Sequence, residues 1–319
     1  SVVFSPDGGL LAASSETGFV RVWETETWEL DWEFRAHNEN VPEIDFSPDG
    51  SLLATSSYDR TAKIWSVQEK KCVHTLRGHG FYVTDVAFEP NGQHLATAGA
   101  DSVVRIWSIE TGVCARSLPG RSFAGPVTFS SDGDLLAVGD SHCVKIWDWR
   151  RGLLLDDFFA HWEPVTDIAF SPDGDTIATC SMDYTAKLWD RSGSTVVGKD
   201  AGPTSLFTSM QHYSVGVKMA VACDRKLLAI AGNSYNNLII WDLDKLLPVK
   251  QLMRQPRRFE SCSFLYDGTL VTLEGVGTQR RIRLWQGIDF TSGGSVPCAD
   301  AKWMRTSTMT SLVALGLPK

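Results

Sequence analysis

The chain lacks the features of a membrane protein, a disulfide-rich secreted protein or a general nucleic-acid binder. No apolar run approaches the roughly 20 residues of a transmembrane helix, which argues against membrane insertion. Basic residues number 30 against 38 acidic ones, and the net charge of -8 gives no overall attraction to nucleic acid. The seven cysteines form an odd set without a CxxC pair. We therefore expect an intracellular protein of the cytoplasm or nucleus.

Motifs of enzymes and cofactor sites are missing as well. The sequence has no G-x-S-x-G elbow, HExxH helix, P-loop or dinucleotide-binding fingerprint. Its seven histidines lie in separate segments without the spacing of metal ligands. We therefore predict no catalytic residue, no metal and no cofactor, and we expect a non-enzymatic protein.

The chain instead contains a repeat that is marked by tryptophan. Spacings of 42, 42, 40, 42, 52 and 44 residues separate Trp23, Trp65, Trp107, Trp147, Trp189, Trp241 and Trp285, and each follows an alternating apolar run. A period of this length is typical of a β-propeller, in which every repeat forms one blade. Because a single repeat cannot bury its apolar face alone, we predict one all-β domain whose function lies on a surface shared by several blades.

A tight turn follows the first predicted strand in most repeats. In the Ser-Pro-Asp-Gly turn at 47–50, proline presets φ, aspartate can bind its own backbone, and glycine accepts a positive φ. Related turns stand at 5–8, 131–133, 171–174 and 266–268, with a variant at 89–92. The sixth repeat lacks the turn, and we predict an insertion at 199–214 before it. The predicted blades lie near 1–35, 36–77, 78–119, 120–159, 160–198, 215–253 and 254–286.

A second pattern joins histidine, aspartate and tryptophan at separations of 22 and 6 residues in three repeats. Histidine precedes the first strand of a blade, aspartate lies in the next tight turn, and a strand threonine and the indole N–H extend the network. The predicted tetrads are His37, Thr55, Asp59 and Trp65; His79, Thr97, Asp101 and Trp107; and His161, Thr179, Asp183 and Trp189. Repetition in three blades indicates a structural network, because a hydrolase needs its triad only once.

These motifs resemble those of WD-repeat proteins. The resemblance rests on the Phe-Ser-Pro-Asp-Gly turns, on Gly78-His79, and on Trp-Asp pairs at 147–148, 189–190 and 241–242. It covers residues 1–286 and implies a seven-bladed propeller with four-stranded antiparallel blades. The resemblance further implies an interaction scaffold of the kind used in signalling, transcription, ubiquitin transfer and trafficking.

The sequence also departs from the family pattern. Thr17, Ser141, Tyr235 and Gln279 stand where the turn aspartate belongs, so we expect complete tetrads only in blades two, three and five. Such propellers usually close with a strand from the N-terminus, and we expect this strand to be missing here. The tail at 287–319 is one source of a closing strand, with 310–315 as the best candidate. Alternatively, the tail begins an eighth unit or leaves the ring.

The resemblance places a docking surface on the face that carries the loops between blades and the turns between second and third strands. These positions hold Glu39, Asn40, Tyr58, Arg60, Phe81, Tyr82, Trp162, Met182 and Tyr184. Tyrosine, tryptophan and arginine are the residue types that dominate interface energies. We therefore predict that this face docks a peptide or protein partner, as a module of a larger protein or complex. The alternative for any single aromatic residue is that it caps the core of a blade.

Two other functions remain open from the sequence. Blade seven is basic and could bind an acidic peptide, phosphate or RNA through Arg254, Arg257, Arg258, Arg280, Arg281 and Arg283; the alternative is a solvated face. The segment Trp147-Asp148-Trp149-Arg150 is similar to the Trp-Asp-x-Arg ending of propellers that serve as substrate receptors of cullin-type ubiquitin ligases. Nucleic acid and phosphate are thus secondary partner classes behind protein.

Overall fold

The computed structural model describes residues 1–120, 124–183, 185–190, 217–222, 227–232, 237–242, 247–252, 259–264, 270–275, 281–285, 302–307 and 311–314. The predicted insertion at 199–214 lies outside these residues. Every regular element in the described segments is a β-strand. Within them, no helix has the length and apolar character needed to cross a membrane.

Blades one to four are four-stranded antiparallel sheets whose strands follow chain order. Blade one contains β1 (Val2–Phe4), β2 (Leu10–Ser14), β3 (Phe19–Glu24) and β4 (Leu30–Arg35). Blade two contains β5 (Ile44–Phe46), β6 (Leu52–Ser56), β7 (Thr61–Ser66) and β8 (Lys71–Arg77). Blade three contains β9 (Val83–Phe88), β10 (His94–Gly99), β11 (Val103–Ser108) and β12 (Cys114–Pro119). Blade four contains β13 (Ala124–Phe129), β14 (Leu135–Asp140), β15 (Cys143–Asp148) and β16 (Leu153–Phe159).

Blades five to seven continue the same order. Blade five contains β17 (Val165–Phe170), β18 (Thr176–Ser181) and β19 (Ala186–Asp190) among the described residues. Blade six contains β20 (Val217–Ala222), β21 (Leu227–Gly232), β22 (Asn237–Asp242) and β23 (Leu247–Leu252). Blade seven contains β24 (Phe259–Phe264), β25 (Leu270–Glu274), β26 (Arg281–Trp285), β27 (Lys302–Ser307) and β28 (Ser311–Ala314). The protein is therefore a seven-bladed β-propeller.

The apolar strands explain how the blades stack. Inner and middle strands alternate or are continuously apolar because a blade packs on a neighbour at each face. Between blades one and two, for example, Val20, Val22 and Ala36 pack with Phe46 and Trp65. A β-bulge in the outer strand lies opposite the repeat tryptophan in blades one, two, three, four and six. The extra residue twists the outer strand away from the plane of the inner strands.

Blade one closes the ring against blade seven. Val2, Phe4 and Trp23 of blade one pack against Val271 and Ile282 of blade seven in one buried cluster. The outer strand of blade seven comes from the tail, because β27 pairs antiparallel with β26. The predicted closing segment, 310–315, contains β28, which lies one strand farther out and pairs with β27. The closing strand is thus 302–307, and apolar packing joins the two ends of the ring.

The Ser-Pro-Asp-Gly turns have one geometry throughout. At 47–50, the Ser47 hydroxyl donates to Asp49 Oδ1 at 2.6 Å and accepts the Leu52 N–H at 2.9 Å. Gly50 has a φ of 73°, which a residue with a side chain rarely adopts. The same serine-to-aspartate bond recurs in the turns of blades one, four and five. In these four blades, the turns hold the inner hairpin on the side opposite to the predicted docking surface.

Candidate functional site

Blade two contains a network of four side chains that joins it to blade one. The Trp65 indole N–H donates to Thr55 Oγ1 at 3.1 Å, and this oxygen lies 2.8 Å from His37 Nε2. His37 follows the outer strand of blade one, and its Nδ1 lies 2.9 Å from Asp59 Oδ2. All four groups are satisfied when the indole donates to the hydroxyl, the hydroxyl to Nε2, and Nδ1–H to the carboxylate. The network that the spacing predicts is therefore present in this blade.

Blades three and five repeat this geometry. His79 Nδ1 lies 2.9 Å from Asp101, its Nε2 lies 2.7 Å from Thr97, and Trp107 donates to Thr97 at 2.9 Å. The corresponding distances in blade five are 3.0, 2.7 and 2.9 Å among His161, Asp183, Thr179 and Trp189. In blade three, Arg105 also donates to Asp101, at 2.9 Å. Three blades thus carry the same buried chain of hydrogen bonds.

The surroundings fix the charge state of the tetrads. Burial alone would raise the pKa of Asp183, but hydrogen bonds from His161 and Thr185 outweigh it and lower this pKa to about 2. Burial would also raise the pKa of Asp101, but the hydrogen bond from His79 and the other bonds to this carboxylate lower it. Burial also lowers the pKa of His79, although Asp101 acts in the opposite direction. Near neutral pH, blade three therefore pairs a neutral imidazole with a carboxylate.

Blade seven contains a network that the sequence pattern did not predict. The Trp285 indole donates to Thr272 Oγ1 at 3.0 Å, and Thr272 donates to Glu274 Oε1 at 3.2 Å. Arg283 lies 3.6 Å from the same carboxylate. The predicted position of the acid is that of Gln279, whereas Glu274, on the same side of the strand as Thr272, supplies it. The Thr-x-Glu alternation is the signal that could have identified this network.

The assignment of Arg283 to an exposed anion-binding surface is wrong. Its side chain is only 1% exposed, faces Glu274, and lies with its guanidinium carbon 3.8 Å from the centre of the Trp285 ring. A buried guanidinium beside a carboxylate and an indole is not available to an external anion. Arg281 lies in β26 opposite Glu274 and Arg305. The remaining candidates lie outside the described residues: Arg254, Arg257, Arg258 and Arg280.

The tetrad aspartates also position loops of the predicted docking surface, here called the top face. This face comprises the loops 36–43, 78–82 and 160–164 and the turns 57–60, 100–102 and 182–185. Asp101 Oδ2 accepts the Gly80 N–H at 2.8 Å, immediately before Phe81. Asp183 Oδ2 accepts the N–H of Trp162 itself at 3.1 Å. The buried networks therefore hold two aromatic residues in exposed positions.

Three predicted docking residues form one aromatic group on blades two and three, here called the tyrosine cluster: Tyr58, Phe81 and Tyr82. The Tyr58 and Tyr82 rings stack with centroids 4.7 Å apart, and Phe81 lies 4.6 Å from Tyr82. The three side chains remain between 37% and 48% exposed. Backbone bonds fix both loops, because Tyr58 N–H donates to Asn40 and Ala100 N–H donates to Tyr82. The cluster is therefore an ordered apolar surface and not a core cap.

Trp162 belongs to a second group, the tryptophan pair. Its ring is 78% exposed and meets the ring of Phe159 edge-on at a centroid distance of 5.0 Å. Phe159 ends the outer strand of blade four and was not among the predicted residues. Blades one, two and three have Arg35, Arg77 and Pro119 at the corresponding position. An exposed phenylalanine at this place is the sequence signal that was overlooked.

The other predicted docking residues lie around these groups. Glu39 is exposed and Asn40 half-buried in the loop before blade two. Arg60 is exposed in the turn that carries Tyr58, with a φ of 70°. Met182 is half-buried, and its N–H donates to Pro164 at 3.0 Å. Tyr184 lies outside the described residues.

The inner strands surround a central cavity of about 290 Å³ whose charged groups already have partners. Lys218 of blade six forms a 2.6 Å ion pair with Glu43 of blade two. The Asp85 carboxylate accepts the Val127 N–H of the next blade at 2.7 Å. Two further carboxylates accept the same kind of bond: Asp45 accepts the Phe88 N–H, and Asp167 accepts the Met219 N–H. These acidic residues therefore join neighbouring inner strands.

The ion pair in the cavity is charged on both sides. Burial would lower the pKa of Lys218, but the charges of Glu43, Asp167 and Asp85 raise it well above its usual value. Burial would raise the pKa of Glu43, and Lys218 reverses this shift. The cavity thus contains its own cation among the carboxylates.

Arg150, the last residue of the Trp-Asp-x-Arg segment, contacts the neighbouring blade, although its side chain is 42% exposed. Its guanidinium forms an ion pair with the buried carboxylate of Glu89 and donates to the Gly133 carbonyl at 2.8 Å. The buried Trp149 indole donates to the same carbonyl at 2.9 Å, and the Arg150 guanidinium lies over its ring. This arrangement joins blade four to blade three.

Several curated proteins are similar to parts of this chain. The nuclear distribution protein nudF of Aspergillus niger is 30% identical over 143 residues, which are 44% of this chain and 30% of that protein. WD repeat and SOCS box-containing protein 1 of Homo sapiens is 33% identical over 119 residues, or 37% and 26%. The transcriptional corepressor LEUNIG_HOMOLOG of Arabidopsis thaliana is 29% identical over 168 residues, or 50% and 20%. The matched part thus spans less than a third of each relative.

The repeats themselves match a known family. The WD domain, G-beta repeat, is found at 1–24, 28–66, 70–108, 113–148 and 152–190, which together make up more than half of the chain. Each match ends with the third strand of a blade, and from the second match on, each begins with the outer strand of the blade before. With its seven-bladed fold and its tryptophan-centred repeats, the chain belongs to the WD-repeat family.

Proposed function

We propose that this propeller is a non-enzymatic interaction module that docks a protein or peptide on its top face. WD-repeat propellers are typically protein-interaction scaffolds, and the relatives found here carry such repeats within longer proteins. The single observation that supports the location is the tyrosine cluster, an ordered apolar group that stays exposed. The free cysteines of the described residues are consistent with action inside the cell.

The composition of the top face supports a protein partner. Tyrosine and tryptophan bury a large area when an interface forms, and they lose little side-chain entropy because each has only two rotatable bonds. The tyrosine cluster and the tryptophan pair are both held by backbone hydrogen bonds, so little ordering is needed on binding. Exposed Arg60 next to Tyr58 would orient an acidic group of the partner. We place the contact at the tyrosine cluster and the tryptophan pair and not in the central cavity, because the charged groups of the cavity bind one another.

The experiment is affinity capture from cell extract with quantitative mass spectrometry, comparing the chain with the double variant Tyr82→Ala, Trp162→Ala. Two hot-spot residues each contribute about 2 kcal/mol or more, so we expect at least a tenfold loss of the specific partners. The control is Leu30→Ala, Val73→Ala, which removes exposed apolar side chains from the outer strands of blades one and two. Equal partner sets for both double variants, with unchanged melting, would refute docking at these residues.

The cullin-receptor alternative has weaker support. The relative with a SOCS box in its name is similar over 119 residues only. Arg150 is bound to Glu89 and Gly133, so its guanidinium contributes to blade packing. We infer that this segment is structural, and Arg150→Lys tests the inference. Reduced thermal stability without loss of any ligase subunit from the captured set is the expected result; loss of a ligase subunit at unchanged stability would favour the receptor function.

A further inference from the structure

The carboxylates of the central cavity outnumber its cations. Four acidic side chains of blades two, three and five line the cavity, and all are half-buried: Glu43, Asp45, Asp85 and Asp167. Of the described residues that line it, only Lys218 and the amino group of Ser1 bring positive charge. Like charges repel one another strongly in a space enclosed by protein, so the four carboxyl groups cannot all ionise without a cost in free energy.

The three aspartates of this cavity also join neighbouring blades. Each accepts an N–H from the inner strand of the next blade at 2.7–2.8 Å. These bonds connect blades two and three, three and four, and five and six. A neutral carboxyl group still accepts an N–H through its carbonyl oxygen. The bridges therefore persist when the aspartates are protonated, whereas ionisation adds repulsion between them.

The surroundings favour the neutral form of these aspartates. Burial raises the pKa of Asp45 to about 7, and the charge of Glu43 acts in the same direction, whereas backbone hydrogen bonds oppose both. Burial raises the pKa of Asp85 well above its usual value, and Glu43 adds to this shift. The pKa of Asp167 is raised by burial as well, although Lys218 opposes the shift. Some of the excess charge is thus removed by protons.

The other groups around the cavity do not balance the charge. The described residues of blade four contribute no titratable side chain to its lining. Burial raises the pKa of the Cys262 thiol in blade seven and of the Cys180 thiol in blade five, so both stay neutral. The Ser1 amino group donates to Ser14 Oγ at 3.0 Å and lowers the pKa of Glu43, to which Lys218 is already bound. The aspartates are therefore the groups that respond to pH.

We propose that the central cavity is a pH-sensitive device, in which Asp45, Asp85 and Asp167 hold protons while they join the blades and release these protons as pH rises. Their ionisation weakens the contacts between neighbouring inner strands, because it places like charges around one cavity. The device lies inside the ring and does not rest on the proposed docking at the top face.

The direction of the effect follows from the raised pKa values. The pKa of Asp45 is about 7 in the folded chain and 3.8 when unperturbed, so its contribution to stability is complete below pH 3.8 and is lost as pH rises through about 7. Asp183 of the tetrad responds in the opposite sense, because its pKa is lowered. The two sets of aspartates thus limit stability at opposite ends of the pH range.

The first experiment compares the melting temperatures of Asp45→Asn and the unsubstituted chain between about pH 6 and about pH 8.5. Asparagine has no charge and can still accept the Phe88 N–H. We expect the difference between the two proteins to change by at least about 3 °C in favour of the variant as pH rises. The control is Asp49→Asn in an exposed turn, where the bond from Ser47 lowers the pKa, and its difference should stay constant. A difference for Asp45→Asn that is independent of pH would overturn the proposal.

The second experiment removes the cation. Lys218→Met leaves the carboxylates without this charge, so its melting temperature should fall more steeply with pH than that of the unsubstituted chain. The double variant Lys218→Met, Glu43→Gln loses one charge of each sign and should return towards the original pH dependence. A Lys218→Met variant with the pH dependence of the unsubstituted chain would contradict the proposal. If Lys218→Met does not fold at any pH, the Asp45 comparison decides the question.

Discussion

Blades one and two share the same strand register but differ at one position of the second strand, next to the repeat tryptophan. Trp23 pairs with Leu11, and Trp65 pairs with Leu53. Two residues farther along, blade two has Thr55 and blade one has Ala13. The Trp65 N–H therefore has an acceptor at 3.1 Å, whereas the buried Trp23 N–H has no partner among the described residues.

This difference separates two roles of the repeat tryptophan. The buried Trp241 N–H of blade six is also without a partner in the described chain, and Ile230 stands at the threonine position. Trp23 nevertheless packs in the cluster that closes the ring. Apolar burial thus suffices to place the indole, which contributes a large buried area. The threonine, histidine and aspartate add hydrogen bonds to a packing that exists without them.

Among blades with and without a complete tetrad, the substitution with the largest expected loss of stability is Asp101→Ala. It removes the acceptor for His79 and for the Gly80 N–H, leaving a buried imidazole N–H without a partner. We expect a loss of about 2–3 kcal/mol in the free energy of unfolding, measured by urea denaturation. The control is Thr17→Ala at the corresponding, exposed position of blade one, for which we expect a change within about 0.5 kcal/mol. Equal losses for the two variants would contradict the structural role of the tetrad.

Thr55→Val should convert blade two into the state of blade one. Valine keeps the shape of threonine but cannot accept from Trp65 or donate to His37. We expect a loss of about 2 kcal/mol, again from urea denaturation. Thr55→Ser, which keeps the hydroxyl, should recover most of it. A neutral Thr55→Val would show that the hydroxyl contributes no net stability.

Acid should lower the contribution of the tetrad aspartates to the free energy of unfolding, an effect that blades without a tetrad lack. The pKa of Asp183 is lowered in the folded chain to about 2 from 3.8, so its contribution is complete above pH 4 and is lost as pH falls towards 2. A shift of this size corresponds to about 2 kcal/mol. We expect Asp183→Asn to have a flatter dependence of unfolding free energy on pH between 4 and 2. Parallel curves for the two proteins would indicate that Asp183 does not titrate with this shift.

The smallest expected effect is a gain in blade one. Ala13→Thr places a hydroxyl where Thr55 lies in blade two, within reach of the unpaired Trp23 N–H. We expect stabilisation by about 1 kcal/mol, measured as an increase in the melting temperature. Ala13→Val controls for the added methyl groups. A valine variant as stable as the threonine variant would show that packing, and not the hydrogen bond, accounts for the gain.

The features that could be predicted from the sequence are those that repeat. Seven tryptophans at nearly equal spacing predict seven blades, and a separation of 22 residues places His37 next to Asp59. Such patterns are readable because each one recurs with the same local geometry. Glu274 was missed because blade seven supplies its acid from a strand and not from the turn, a substitution that occurs once in the described chain.

The sequence by itself determined the fold, the blade order and the tetrads, since periodic apolar residues and turn chemistry act over short separations along the chain. Tertiary structure alone decided which charged and aromatic residues are available. Arg283 is buried beside Trp285, Lys218 meets Glu43 across 175 residues, and Phe159 lies next to Trp162. Burial and pairing of this kind depend on how blades meet around a closed ring, and no local sequence pattern records the distance between residues that only the ring brings together.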